Sequence, residues 1–188
     1  TRRGLIVGNT NSGTLTISGG SLTSLGGSVV DIVGANSGAG TLIIDGGSYV
    51  NTANSGRLNL GFGGTNSTVT INSGSADIHT LEYNSGAANA SVNLNGGSLT
   101  LSNIVVTNGA TKQLNFNGGQ FIAGASLPTV SGLTLNVNNG GANINTNGNS
   151  FAISDPLLAA GSGGLNKSGA GTLTLSGAST FTGATNIT

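Results

Sequence analysis

One short phrase recurs along the chain. Residues 14–20 read TLTISGG, residues 41–47 read TLIIDGG, and LNGGSL at 94–99 follows an alternating SVN. The apolar residue three or so positions before each turn's second glycine defines a register: Ile17, Ile44, Ile71, Leu94, Phe116, Val137 and Leu175, with steps of 27, 27, 23, 22, 21 and 38 residues. A second set upstream, Leu5, Ile32, Leu58, Leu81 and Ile104, steps by 27, 26, 23 and 23. The two sets drift together, as one structural unit does when it repeats with small insertions in its loops.

Within each unit the period is two. Thr14-Leu15-Thr16-Ile17-Ser18, Thr68-Val69-Thr70-Ile71-Asn72 and Gln113-Leu114-Asn115-Phe116-Asn117 all alternate polar and apolar residues. That is the pattern of a half-buried strand, whose successive side chains point to opposite faces. Helix is opposed throughout by glycine and β-branched residues. The pairs Gly19-Gly20, Gly46-Gly47, Gly96-Gly97 and Gly118-Gly119 fall where a turn needs φ > 0. Units of 22–27 residues with two or three short strands each do not suit hairpins, which bring antiparallel partners and two-residue loops. They suit an all-β fold in which each unit makes one coil and like strands stack in parallel about 4.8 Å apart.

The expected architecture is a right-handed parallel β-helix, or β-solenoid, of roughly seven coils and about 35 Å long. Leu15, Leu42, Val69, Val92 and Leu114 form one inward column, and Ile17, Ile44, Ile71, Leu94, Phe116 and Val137 its neighbour. Outside, Ser18 aligns with Asp45, Asn72, Asn95, Asn117, Asn138 and Ser176, short polar side chains suited to corners and to ladders between coils. The shared column of Ile32 and Leu58 predicts an Asp31–Arg57 ion pair. Phe116, Phe121, Phe151 and Phe181 are read as core, and Tyr49 and Tyr83 as the exposed aromatics. Segment 154–163, inside the 38-residue step, is read as a loop or lateral excursion, where function concentrates in a solenoid, with a packing role for its apolar LLAA weighed at least equally.

Composition narrows the function. Only 5% of the 188 residues are charged, and five basic residues balance five acidic ones. That leaves no electrostatic footprint for nucleic acid or an anionic membrane. There is no cysteine, which removes disulfides and thiolate metal sites. No apolar run reaches the roughly 18 residues of a membrane helix. The opening TRRGLIVG and the lack of methionine read as one segment, 1–188, of a longer, processed or truncated chain.

Chemistry is sparse. Glycoside hydrolysis needs two carboxyl groups facing each other across a bond, and the acids Asp31, Asp45, Asp77, Glu82 and Asp155 share no column. The densest cluster is Asp77-Ile78-His79-Thr80-Leu81-Glu82. Its Asp77 and His79 lie on one strand face, within reach of a cation or glycan, yet a solvated strand is the commoner explanation. His79 has no second histidine to complete a metal site. No phosphate loop occurs, Lys167 falls in a corner, and the corners lack the aspartates of a calcium roll. Thr14/Thr16 and Thr68/Thr70 hint at an ice-binding array, but Ile43, Asn93 and Asn115 interrupt it. The reading is non-enzymatic, with no catalytic, metal or cofactor residues assigned.

The stretch GGLNKSGAGTLTLSGASTFTGATNIT at 163–188 resembles the passenger-associated repeat of bacterial autotransporters, G-G-L-x-K-x-G-x-G-T-L-x-L-x-G-x-N-x-Y-x-G-x-T-x-I. Gly164, Leu165, Lys167, Gly169, Gly171, Thr172, Leu173, Leu175, Gly177, Thr182, Gly183 and Ile187 match; Phe181 replaces the usual Tyr and Ser179 the usual Asn. Residues 101–153 resemble the flank that precedes this repeat in large surface proteins. The resemblance implies a pectin-lyase-like β-helix exported to the bacterial cell surface, secreted or anchored in the outer membrane, where the repeat aids export and folding. It implies a stalk or scaffold with a part in adhesion, and partners among host-surface or extracellular glycans and proteins. Direct membrane insertion of this segment is not implied; further β-helix and a C-terminal membrane barrel are. The alternative is a carbohydrate-binding or carbohydrate-cleaving, polysaccharide lyase-like β-helix.

Overall fold

A computed structural model describes residues 2–24, 29–52, 56–63, 66–84, 86–107, 109, 111–125 and 127–188. The strands are β1 (Arg2–Val7), β2 (Gly13–Ile17), β3 (Ser21–Thr23), β4 (Val29–Ala35), β5 (Gly40–Asn51), β6 (Arg57–Phe62), β7 (Ser67–Tyr83), β8 (Asn89–Leu94) and β9 (Ser98–Val106). They continue as β10 (Thr111–Phe116), β11 (Gln120–Ala123), β12 (Thr134–Val137), β13 (Ala142–Asn145), β14 (Phe151–Ile153), β15 (Leu157–Ala159), β16 (Leu165–Ser168), β17 (Leu173–Leu175) and β18 (Thr185–Ile187). No helix occurs among the described residues. The pairings between these strands are parallel, and they wind the chain into a solenoid of about seven turns.

Each turn has up to three faces. The first stacks β2, the start of β5, the start of β7, β8, β10, β12 and β15. The second stacks β3, the end of β5, the middle of β7, the start of β9, β11, β13, β16 and β18. The third stacks β1, β4, β6 and the ends of β7 and β9. Among the described residues it has no strand over 124–125 and 127–133, where an isolated bridge joins Val130 to Ile153, and it resumes as β14 paired with β17. Pro128 lies in that stretch; without an N–H it cannot donate to a ladder.

Both predicted inward columns are present. Leu15, Leu42, Val69, Val92, Leu114 and Leu135 stand in register, as do Ile17, Ile44, Ile71, Leu94, Phe116 and Val137. From Leu42 and Ile44 onward these side chains are buried. A third column, Leu22, Tyr49, Ala76, Leu99, Phe121 and Ile144, closes the core from the second face. Phe121 links the layers, edge-on to Phe116 with ring centroids 6.3 Å apart and 6.1 Å from Phe151. Phe181 packs against the core partly buried. The glycine pairs are explained by backbone geometry: Gly20, Gly46, Gly97 and Gly118 hold φ of 67°, 116°, 60° and 101°. A Cβ on Gly97 would also press into the carbonyl oxygen of Gly74 one coil away.

Several expectations are corrected. Segment 154–163 is no excursion: Leu157 and Ala159 continue the two inward columns opposite Leu135 and Val137, 22 residues after each. Leu175 instead pairs with Ile153 on the third face. In the second set, Ile6 rather than Leu5 stands beside Ile32, and Leu58 stands beside Asp31. Asp31 is therefore inside and forms no pair with Arg57, whose guanidinium meets Glu82 at 3.0 Å. Tyr49 and Tyr83 are buried, both at 0% exposure. Lys167 lies in β16, between Ile144 and Ile187 in the inward register, and its ammonium folds back to the carbonyl of Gly169.

Candidate functional site

Asp77 and His79 are outward on β7, flanked by the buried Ala76 and Ile78. Asp77 stands level with Val50 and Thr100. Partial burial on that face raises its carboxyl above the ordinary value, because desolvation disfavours the charged form. His79 Nδ1 is 3.0 Å from Thr80 Oγ1, which also accepts a bond from Asn103 Nδ2 at 3.4 Å. Thr80 and Leu81 are both buried and turn the chain onto the third face. Glu82 therefore faces Arg57 around that corner, and the sequence cluster is split between two faces. No group of three or more His, Cys, Asp or Glu side chains converges among the described residues.

The remaining acids are dispersed and structurally engaged. Asp31 Oδ1 accepts from the Leu5 amide at 2.7 Å and from Ser24 Oγ at 3.0 Å; its Oδ2 accepts from Tyr49 Oη at 2.5 Å and Asn51 Nδ2 at 2.9 Å. Four donors compensate a carboxylate that the core would otherwise not tolerate. Burial first, then the neighbouring Asp31 charge, pushes the Tyr49 phenol up, so it remains a donor. Asp155 Oδ2 accepts from the Leu133 amide at 2.8 Å. Asp45 lies on an exposed corner beside Ser73. Tyr83 donates to the Gln113 carbonyl at 2.9 Å, and burial raises its phenol as well.

What the outer surface does offer is order. On the first face Asn136 Nδ2 donates to Asn115 Oδ1 at 2.7 Å, Asn115 to Asn93 at 2.7 Å, and Asn93 to Thr70 Oγ1 at 3.3 Å. The predicted corner ladder runs Asn117 to Asn95 to Asn72, while Asn138 turns to the Phe116 carbonyl. On the second face Asn186 donates to Asn166 and Asn166 to Asn143. Each amide donates toward the N-terminal coil, so every rung satisfies the one before it.

The third face also carries an open groove. Where the third face is interrupted, a groove of about 350 Å³ opens, lined by Leu127, Thr129, Ser150, Phe151, Ala152, Thr172 and Thr174. The sequence reading overlooked it; the signal was Pro128, which breaks the strand that would have filled this level.

Residues 165–188 match the family model described as the passenger-associated transport repeat. Comparison with curated proteins and with solved structures gave no match. The matched segment is built into the solenoid through β16, β17 and β18. Repeat and parallel solenoid together fit an autotransporter passenger repeat protein.

Proposed function

We propose that this chain is a non-enzymatic stalk of a secreted or surface-displayed passenger, holding whatever it carries at a fixed distance and contributing to adhesion. The observation that carries the reading is the continuity of the coils into residues 165–188, so the transport repeat is one more turn of the same scaffold. The side chains on the outside serve the stack itself: amides ladder, Arg57 meets Glu82, and Asp155 holds a backbone amide. A scaffold requires such self-sufficient coils, and a solenoid provides them additively, turn by turn.

The test places the chain ahead of an outer-membrane translocator barrel in a Gram-negative host and measures surface display by protease accessibility on intact cells. The chain is expected to be displayed. Leu165→Asp, which puts a carboxylate into the buried first turn of the matched repeat, is expected to reduce display several-fold. Equal display of both proteins, or retention of the unaltered chain, overturns the reading.

A further inference from the structure

We infer that the groove on the interrupted third face is a binding subsite for one neutral sugar unit. The inference rests on that face alone and stands or falls independently of the stalk reading.

The recess has a specific cause. Phe151 and Leu173 are paired, as are Ala152 and Thr174; the bridge from Val130 to Ile153 sets Thr129 level with Ala152. Thr129, Ala152 and Thr174 therefore form one outward line across three coils, and Ala152 is the short side chain between two threonines. With successive strands about 4.8 Å apart, the notch between the flanking threonines is about 10 Å wide. Ser150 and Thr172 form the parallel line beside it, and Leu127 comes from the irregular segment that borders the recess.

The chemistry of the lining selects the ligand class. Four hydroxyl-bearing residues, Thr129, Ser150, Thr172 and Thr174, line the groove together with the apolar Ala152, Leu127 and Phe151, and no charged residue does. Ser150 Oγ already accepts from the Thr172 amide at 3.1 Å, so its proton is available to donate. A purely apolar ligand would leave these hydroxyls without partners, and an ionic one would find no counter-charge. A pyranose presents both parts, C–H faces for Ala152 and Leu127 and hydroxyls for the threonines. The volume, about 350 Å³, is at the small end of ligand sites, which suits one ring. Without an aromatic platform the affinity should be millimolar.

The test titrates the intact 188-residue chain with the methyl glycosides of glucose, galactose, mannose and N-acetylglucosamine, and with methyl glucuronide, followed by two-dimensional NMR. Saturable shifts confined to the groove residues with at least one neutral glycoside are expected. Ala152→Leu, which fills the notch, should abolish them, and Thr174→Val, which keeps the shape but removes a hydroxyl, should weaken binding about fivefold to tenfold. Circular dichroism confirms that both variants keep their strands. No saturation by about 50 mM, unchanged binding in Ala152→Leu, or tighter binding of the glucuronide overturns the proposal.

Discussion

The middle coils and the last one use the same sequence pattern with different results. Thr68-Val69-Thr70-Ile71 and Thr172-Leu173-Thr174-Leu175 alternate identically. Ile71 and Leu94 are 0% exposed and Phe116 nearly so, whereas Leu173 and Leu175 are only partly buried and Ile187 is 75% exposed. The strand β8 is covered by β7 on one side and β10 on the other; among the described pairings β18 has β16 alone. Alternation therefore fixes which face a side chain takes, and the stacked neighbours fix how deeply it is buried. Energies follow depth, since removal of apolar area from water is what stabilises.

That comparison fails most visibly at its extremes. Ile71→Asp is expected to cost about 4 kcal/mol, because an unpaired carboxylate would lie between Ile44 and Leu94. Ile187→Asp should stay within about 0.5 kcal/mol, and so should Thr70→Asp, one residue from Ile71 but outward. Denaturant midpoints that move equally for Ile71→Asp and Ile187→Asp would show that stacking does not set the energetics.

Asp31 sharpens the point, being as deep as Ile71 but polar. Tyr49→Phe removes one of its four donors and should destabilise by about 1–2 kcal/mol. Asp31→Ala removes the acceptor of all four donors, of which Tyr49 Oη and Asn51 Nδ2 are buried, and should cost about 3 kcal/mol. A thermal melt of each variant measures this, and a neutral Asp31→Ala would mean that burial alone, not pairing, governs the interior.

The ladders provide the same contrast at smaller scale. Asn115 donates to one neighbour and accepts from another, while Asn186 makes a single amide–amide bond on an exposed face. Asn115→Ala should cost about 1 kcal/mol and Asn186→Ala close to nothing, read from urea midpoints. The smallest effect is a pH dependence. The raised carboxyl of Asp77 means that the folded state holds its proton more tightly than the unfolded chain, so stability declines as pH rises from the ordinary carboxylate value through the raised one. Asp77→Asn should flatten that decline and be slightly the more stable protein at neutral pH; a steeper decline would contradict the sign.

How much of this was legible depends on which column is considered. The two apolar columns were, because coil-to-coil steps of 27, 27, 23, 22 and 21 recur in both. The same steps also connect Leu22, Tyr49, Ala76 and Leu99, so Tyr49 could have been placed inside by the rule already in use. Leu157 was hidden for a different reason: Leu157-Leu158-Ala159-Ala160 loses the polar–apolar alternation that marks the other strands. Asp31 was not readable in that way. VVDIV at 29–33 offers apolar residues in both phases, and a slip of one residue exchanges the two faces of a strand. The pairing of β4 with β6 sets Asp31 beside Leu58, and the irregular register between Arg3 and Ile6 sets Ile6 rather than Leu5 beside Ile32; no composition signals either. The groove was legible only in part: Pro128 marks the interrupted level, but the small side chain at Ala152 between two threonines carries no signal of its own.

The backbone circles the rod, while the bonds between strands point along it. Tension applied along the rod therefore loads one coil-to-coil ladder at a time. The turn from Val137 to Ala159 spans 22 residues and about 4.8 Å of rod; peeled away, it yields up to about 75 Å of extended chain. A pulled end would thus release line as a spool does, in steps each roughly fifteen times the height of the turn lost, leaving the turns behind it wound. A tether of this kind absorbs a tug by lengthening before its attachment gives way.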